Sequence, residues 1–560
     1  MSNTNQTPVF NHHPKDLVLD YYHCTFFLPL SNLASSELNK EGFEAKEAFR
    51  QFYNHKTNDK LKAGEAQAYQ FFTPAIRNIL YDNEKNTENL QAVKEWRLPH
   101  DLIKDWELHL GDKKDKNDPT QYQQSKIQSV KLYQYFNKIY ILAIQVEPMA
   151  LIELRKQQNC LLFNYDAPNS LAEIISQDPK NEKLYQQLAM ENWLHFTRLA
   201  RLLYPTFRQQ KEENKMAKIQ LIRPNRNTET AFKPEVDEMT IKENSGEDFS
   251  PIITAILKSF TSKPQNIDPL FKNYQGLYDD RLFVSVAYGI AGKKLPEKSL
   301  IRINSLVSYI DRQEADGWDD MQGYAYTPEI IQEKIKKQAF RLWEGIGGYY
   351  TFTDFSNTYL SRGKSFRDFI APEHIPFIYD RMLIQALFYQ ASLRLYDDQI
   401  CNETKDLLEN SQQGFASIRQ QRQEFIKFTN QYWFHKLTEQ MQGKEIFSLQ
   451  QKALGVEEHY AILKDELERT DEYLQTEHES RLSNITDKFT RYGIILALIA
   501  AYYSILPMIN DAIKSDTQTL WTKVGGDNTW WGLTLFLMII PVVMALAIWL
   551  WKKPKNHNKS

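Results

Sequence analysis

Runs of aromatic and aliphatic residues predict strands in the first third of the chain. The run Leu17–Leu30, LVLDYYHCTFFLPL, has the length and composition of a buried strand. Lys131–Glu147 predicts two strands that turn at Asn137 and Lys138, and Cys160–Pro168 predicts a third strand stopped by turn residues. The N-terminal part of the chain is therefore expected to contain a sheet.

Helical patterns and a second group of strands complete the predicted cytosolic part. Glu65–Tyr81, interrupted at Pro74, and Glu182–Tyr204 have helical character. Arg281–Gly292 and Ser299–Asp311 predict further strands. Strands of mixed length between helices are typical of an α/β or α+β sandwich.

The stretch between these two regions, from Arg208 to Pro251, is polar and charged. Only the segment AKIQLIRP within it has a strand pattern, so we interpret the stretch as a linker or a surface insertion.

From Ile375 onward the pattern is helical, with helices predicted at Ile375–Tyr396 and Cys401–Gln442 and a third from Phe447. In the third helix, apolar and polar positions repeat at steps of three or four. This seam comprises Tyr460, Leu463, Leu467, Thr470, Leu474, His478, Arg481, Ile485, Phe489 and Tyr492. Such a seam is typical of a coiled coil and predicts a stalk helix that packs against copies of itself.

Two stretches without charge lie near the C-terminus, Tyr492–Ile509 with 18 residues and Trp530–Trp551 with 22 residues. About 20 apolar residues suffice to cross a bilayer, so the stretches predict a transmembrane hairpin, with a buried helix pair of a large soluble protein as the alternative. The predicted fold class is therefore an α/β (α+β) cytosolic domain, a long stalk helix and a C-terminal two-helix transmembrane hairpin. The predicted regions are 1–205 (first α/β region), 206–265 (linker or insertion), 266–400 (second α/β region), 401–488 (stalk), 489–552 (hairpin) and 553–560 (basic tail).

Charges beside the two stretches predict their orientation. Lys488 and Arg491 precede the first stretch, and four lysines follow the second between residues 552 and 559. Positive flanks face the cytoplasm, so both termini are expected there, in a protein of the cell inner membrane.

Composition excludes some functions. The 560 residues carry a formal charge of -3, which argues against a general nucleic-acid-binding surface. Three cysteines, Cys24, Cys160 and Cys401, lie far apart, which fits a reducing compartment and no structural zinc site. No constellation of nucleophile, base and metal indicates an enzyme.

The stalk and hairpin, about Phe447 to Lys555, resemble the CorA family of magnesium channels. That resemblance implies a homopentamer in the lipid bilayer, in which the first span lines the pore. Small residues on one face of that span favour the same assignment. The expected pore-lining residues are Gly493, Ala497, Ala500 (or Ala501), Ser504 and Met508, with Asn510 and Asp511 at the pore mouth.

The chain departs from the CorA pattern in two respects. The family's Gly-Met-Asn signature is replaced by Leu506-Pro507-Met508-Ile509-Asn510-Asp511, although Asn510 and Asp511 still offer oxygen ligands to Mg²⁺ or another divalent cation. The alternative is that these two residues only terminate the helix. The cytosolic part is also about twice the usual size for the family. In size and in its missing signature, the chain resembles the large divergent members that serve as membrane effectors in type III CRISPR defence. This resemblance implies gating by a nucleotide second messenger of the adenylated S-adenosylmethionine type.

Other motifs are weaker. GIAGKK (Gly289–Lys294) follows a strand, but its spacing differs from that of a phosphate loop, so we interpret it as a turn. GIGG (Gly345–Gly348) most simply caps a helix. Asp311–Asp320 is acidic but lacks EF-hand spacing.

A few residues in the polar stretch could contact a phosphate-bearing ligand, but no ligand site is located. They are Lys218, Arg223, Asn225 and Arg226.

Three functions remain open at the level of sequence. The first is a divalent-cation channel gated by a nucleotide, acting in antiviral defence. The second is a constitutive magnesium transporter closed by cytosolic magnesium, and the third is an enzyme that the hairpin anchors to the membrane.

Overall fold

The computed structural model describes residues 13–31, 63–80, 93–111, 122–157, 160–164, 167–168, 170–202, 219–224, 235–239, 250–260, 281–292, 294–308, 327–409 and 411–514. Their strands form one sheet of 11 strands. The strands are β1 (Leu19–Ser31), β2 (Val93–Arg97), β3 (Glu107–Leu110), β4 (Gln123–Tyr135), β5 (Ile139–Pro148), β6 (Ile219–Arg223), β7 (Glu235–Met239), β8 (Phe283–Ile290), β9 (Ala339–Phe340), β10 (Tyr349–Phe352) and β11 (Ser356–Arg362).

The order across the sheet is β7-β6-β3-β4-β5-β1-β8-β11-β10-β9, and β2 also pairs with β4. All described pairs are antiparallel except β8 with β11, which are parallel. Because β5 and β8 both run antiparallel to β1, the strands β5, β8 and β11 point in the same direction and end at the same edge. We call this edge the carboxyl edge. Strands from both predicted α/β regions and from the predicted linker thus belong to one sheet.

Helices cover both faces of this sheet. They are α1 (Ala63–Phe71), α2 (Pro74–Leu80), α3 (His100–Ile103), α4 (Met149–Arg155), α5 (Leu171–Gln177), α6 (Glu182–Gln187), α7 (Met190–Ala200), α8 (Pro251–Lys258), α9 (Glu297–Val307), α10 (Pro328–Gln338), α11 (Asp380–Glu409), α12 (Ser411–Lys427), α13 (Met441–Ala453) and α14 (Val456–Lys514). π-Helices occupy Phe366–Tyr379 and Phe428–Tyr432.

The alternation of side chains along β1 creates two hydrophobic cores. Tyr22, Cys24 and Phe26 point into the first core, which also contains buried residues of α4 to α10. Tyr21 and Phe27 point into the second core, together with buried residues of α1, α2, α11 and α13 and the start of α14. The arrangement is therefore helix, sheet, helix.

Several predicted elements are confirmed. β1 covers the predicted strand from Leu19 onward and extends one residue past it, and β4 and β5 turn at residues 136 to 138, where Lys138 has a φ of 62°. The strand within AKIQLIRP is β6, and Pro74 begins α2 as predicted.

Two predicted strands are wrong. Ser299–Asp311 contains most of α9, because its buried residues Leu300, Ile303 and Val307 are spaced by three and four, which is a helical period. Cys160–Pro168 contains a short 3-10 turn, in which the Phe163 amide donates to the Cys160 carbonyl oxygen at 3.2 Å.

Contacts divide the chain into two compact units, residues 1–467 and 468–560. Helix α14 is one continuous helix of 59 residues. It begins just after Gly455, where a φ of 63° ends the preceding helical run.

The predicted transmembrane hairpin is wrong. Among the described residues, no helix has both the length and the apolar character needed to cross a bilayer. The first predicted span, Tyr492–Ile509, does not form a separate helix. It forms part of α14, which begins far upstream among charged residues and continues through Asn510 and Asp511 to Lys514. The second predicted span, Trp530–Trp551, and the basic tail at 553–560 lie outside the described residues.

Candidate functional site

The predicted pore-lining residues all fall on the final part of α14. Gly493, Ala497, Ala500 and Ser504 are exposed in the single chain. The Ser504 hydroxyl donates to the Ala500 carbonyl oxygen at 2.8 Å, and a Cβ atom at Gly493 would meet nothing within 4 Å. The structure therefore places these four residues along one helix without assigning them to a pore.

The residues predicted at the end of that pore are helical as well. Met508, Asn510 and Asp511 lie within the bounds of α14, and their side chains are outside the described part of the structure. Their role as a pore mouth and ion ligand stays a prediction.

The predicted seam of α14 divides into two parts. Its first part packs inside unit 1, where Leu463 and Leu467 are buried and the Tyr460 ring stacks on Trp433 at a centroid distance of 4.5 Å. In unit 2, apolar side chains along the helix are exposed. Tyr473, Ile494 and Leu498 are exposed on other faces of the helix, and seven more lie on one face: Leu482 (49%), Ile485 (49%), Phe489 (72%), Tyr492 (55%), Leu496 (66%), Ile499 (37%) and Tyr503 (67%).

The spacing between successive members of these seven residues alternates between three and four over three heptads, as it does between the a and d positions of a coiled coil. We call them the α14 seam. Of this set, sequence analysis found only Ile485, Phe489 and Tyr492, because it placed Arg481 in the seam instead of Leu482 and interpreted the residues after Tyr492 as a span.

Basic residues of the polar stretch do not form a ligand site where they are described. The Arg223 guanidinium lies 2.7 Å from an Asp237 carboxylate oxygen and 3.4 Å from that of Glu235, both on the neighbouring strand β7. It also lies over the Trp106 ring at 5.6 Å. Arg223 therefore stabilises the β6–β7 pair. Lys218, Asn225, Arg226 and the acidic loop Asp311–Asp320 lie outside the described residues.

A row of polar side chains crosses the sheet under α11. It lies on the side of the second core and takes one or two residues from each of six neighbouring strands. Its members are Glu95 (β2), Ser129 and Lys131 (β4), Gln145 (β5), His23 and Thr25 (β1), Ser285 (β8) and Asn357 (β11). We call this set the polar row.

The first two residues of α11, Asp380 and Arg381, bind residues of the polar row. The Asp380 carboxylate accepts hydrogen bonds from the hydroxyls of Ser285 and Thr25. The Arg381 guanidinium lies 3.2 Å from a Glu95 carboxylate oxygen. Both residues are buried, and their contacts attach one end of the helix to β1, β8 and β2.

Burial controls the charge states of Asp380 and of two residues of the polar row, His23 and Lys131. It raises the pKa of Asp380 to about 7, although Ser285 and Lys131 favour the charged form. Burial also lowers the pKa of His23 to about 4, with Arg155 and Lys131 adding to the effect, so this histidine is neutral at pH 7. Burial lowers the pKa of Lys131 to about 8, against the attraction of Glu95.

Glu95 is the exception. Burial by itself would raise its pKa, but the cations Lys131, Arg97 and Arg381 outweigh burial and hold the pKa well below its usual range. The distances from Glu95 to Arg97 and Lys131 are 2.6 and 3.4 Å. A charged Glu95 therefore holds β2, β4 and α11 together.

The polar row has little room for a ligand. A cavity of about 10 Å³ beside Glu95 and Arg381 has space for about one water molecule. The thiol of Cys24 on β1 is also buried, which raises its pKa and disfavours the nucleophilic thiolate at neutral pH. We interpret the row as a structural attachment for α11.

The two glycine motifs of the sequence meet at the carboxyl edge. The Lys294 ammonium donates to the Gly345 carbonyl oxygen at 2.8 Å. From the end of β11, Arg362 donates through Nε to the Ile346 carbonyl oxygen at 3.2 Å and through Nη1 to the Gly292 carbonyl oxygen at 3.0 Å. Sequence analysis treated the two motifs as separate turns, because about 50 residues lie between them.

The described residues contain no cluster of three or more histidine, cysteine, aspartate or glutamate side chains that could hold a metal ion. The expected magnesium ion thus has no ligand set in this part of the chain and stays a prediction.

Comparison with known proteins gives no relative. The chain matches no protein-family model, no curated protein and no solved structure. Its function therefore has to be argued from its own residues.

The polar row was missed in the sequence, where its members appear as single polar residues inside apolar strands. His23 and Thr25 are two residues apart in LVLDYYHCTFFLPL, and this same-face spacing was the available signal. Their partners could be known only once the order of the strands was known.

Proposed function

We propose that the protein is an effector that acts as a homo-oligomer assembled through the α14 seam. The observation that carries the proposal is the exposure of seven apolar side chains at coiled-coil spacing, from Leu482 to Tyr503. Water contact with such a stripe is unfavourable by about 25 cal/mol per Å² of apolar surface, and a second copy of the same helix offers the matching spacing.

The small residues beside the seam favour more than two chains. Gly493, Ala497, Ala500 and Ser504 each follow directly after a seam residue. Successive residues of an α-helix are about 100° apart, so the small residues form a second face beside the seam. If the seam and the small-residue face each pack against a helix of another chain, every helix has two neighbours, as in a ring of helices.

Self-association is tested by sedimentation velocity of the full-length protein and of Ile485→Glu. The wild-type protein should sediment as an oligomer. The association constant of Ile485→Glu should be at least about tenfold lower than that of the wild type, a loss of about 1.4 kcal/mol. Asn484→Glu is the matched control, because it adds the same charge at an exposed position on the side of the helix opposite to both the seam and the small residues. A monomeric wild type, or equal association of both variants, would contradict the proposal.

Cation conduction and gating by a nucleotide messenger are implied only by the CorA resemblance. Both stay predictions, as do the bilayer partner, the inner-membrane location, the pentamer number and the part in antiviral defence. The alternatives of a constitutive magnesium transporter and an anchored enzyme also stay open. Magnesium flux into liposomes, with and without adenylated nucleotides, would distinguish conduction from assembly alone.

A further inference from the structure

The carboxyl edge has the strand order that ligand sites use in open α/β sheets. β8 and β11 are parallel, and each is followed by a turn at a glycine with a φ of 87°, Gly292 and Gly363. Helix α9 follows the first turn and the π-helix Phe366–Tyr379 follows the second. Ligands of open α/β sheets bind at the carboxyl ends of parallel strands, where such loops meet.

Two cations lie together at this place. A Cβ atom built on Gly347 would be 3.5 Å from the Arg362 Nε atom and 3.7 Å from the Lys294 Cγ atom, so both side chains flank the same glycine. Gly347 itself has a φ of 88°, which favours glycine and leaves this surface without a side chain. We call Lys294, Arg362 and the glycine turns at Gly292 and Gly347 the Lys294/Arg362 cluster.

Neither cation has a carboxylate within ion-pair distance in the described part of the chain. Their hydrogen bonds go to backbone carbonyl oxygens. Lys294 helps to lower the pKa of Glu344, but this carboxylate is already bound by Arg341 at 2.5 Å and by the Tyr349 hydroxyl at 3.1 Å. Within the described residues the positive charge of Lys294 and Arg362 is therefore only partly compensated, which favours the binding of an anion.

Hydrogen-bond capacity also remains. An ammonium group has three N–H donors and a guanidinium group has five. One N–H donor of Lys294 and two of Arg362 bind carbonyl oxygens. Lys294 therefore keeps two donors and the adjacent Arg362 keeps three. The fixed fork of a guanidinium matches a phosphate oxygen pair, and a dianion satisfies two cations at once.

We propose that the Lys294/Arg362 cluster binds a phosphate group, either inorganic phosphate or the phosphate of a nucleotide. The cluster lies within unit 1 and does not depend on association of α14. Failure of this site would leave the proposed self-association intact, and the reverse also holds.

The test is calorimetric titration of the full-length protein with pyrophosphate, adenosine triphosphate and adenosine at constant ionic strength. We expect saturable binding of pyrophosphate that weakens at least tenfold in Lys294→Gln and in Arg362→Gln. Lys180→Gln is the matched control, because its side chain is 73% exposed and lies on another part of unit 1. Equal affinity in all variants, or no saturable binding of either phosphate compound, would overturn the proposal.

The ligands separate the possible sources of phosphate. Equal affinity for pyrophosphate and adenosine triphosphate indicates recognition of phosphate alone, and tighter binding of adenosine triphosphate indicates a nucleotide. Adenosine binding as tightly as adenosine triphosphate would overturn the proposal. If Arg362→Gln fails to fold, Lys294→Gln decides, because Lys294 makes a single exposed hydrogen bond.

Discussion

Asp380 and Arg381 show how two adjacent residues set the position of a helix. They bind different strands, Asp380 the hydroxyls of β1 and β8 and Arg381 the carboxylate of Glu95 on β2. Removing one partner of a buried ion pair costs roughly 3–5 kcal/mol, whereas an exposed pair contributes little. The start of α11 is thus fixed to the sheet in one orientation.

The raised pKa of Asp380 predicts a pH-dependent effect of Asp380→Asn. An acid whose pKa is higher in the folded state holds its proton longer there, so its contribution to stability falls as pH rises from about 4 to about 7. Asparagine removes this dependence. Relative to the wild type, Asp380→Asn should therefore gain up to about 3 kcal/mol in free energy of unfolding between pH 5 and pH 8.

Urea unfolding at the two pH values measures this difference. The exposed Asp16→Asn is the control for replacing an acid outside the core. An equal effect of Asp380→Asn at both pH values would show that Asp380 is charged in the folded protein throughout this range.

At the scale of elements, α14 has the same spacing of apolar residues in a buried part and in an exposed part. In unit 1 its residues Leu463 and Leu467 complete the second core, and in unit 2 residues at the same spacing are exposed. The periodicity is the same in both parts. It therefore identifies an apolar face of the helix but does not show what packs against that face.

Leucine-to-alanine substitutions on the two parts of α14 should therefore have different effects. Leu463→Ala removes a fully buried side chain and should lower the free energy of unfolding of unit 1 by about 2–5 kcal/mol. Leu482→Ala, at a position that is 49% exposed, should leave that stability nearly unchanged and weaken association instead.

Chemical denaturation and sedimentation velocity of the two variants would test this contrast. The leucines are matched in residue type and helix. Equal destabilisation of unit 1 by both substitutions would show that Leu482 belongs to the folded core.

At the scale of the whole molecule, both hydrophobic cores lie within unit 1: the last buried residue of the first core is Leu360, and that of the second is Leu467. A chain of residues 1–467 contains every strand of the described sheet and every helix that packs on it. We expect this chain to fold and to remain monomeric, because it lacks the α14 seam.

Circular dichroism melting and light scattering of the truncated chain would test this expectation. Its melting transition should stay cooperative, with the mass of one chain. Loss of the near-ultraviolet signal would indicate that unit 1 needs residues after Leu467, and an oligomer would show that association does not require the seam.

Local patterns in the sequence determined many elements but few of their neighbours. Apolar β-branched and aromatic runs predicted β1, β4, β5 and β8, because strand formation follows side-chain composition and turn residues. The same approach wrongly predicted a strand where α9 lies, because a short apolar run is compatible with both the helical and the strand period until the buried side chains are known. It also interpreted the apolar end of α14 as a membrane span.

The tertiary structure alone decided which residues meet. The parallel pairing of β8 and β11 brings Lys294 to Gly345, and the order of strands assembles the polar row from single polar residues. Such contacts join positions far apart in the chain, and local propensity carries no information about them. The sequence by itself determined where apolar faces occur, and the fold determined which face is buried, which is exposed and which charges become neighbours.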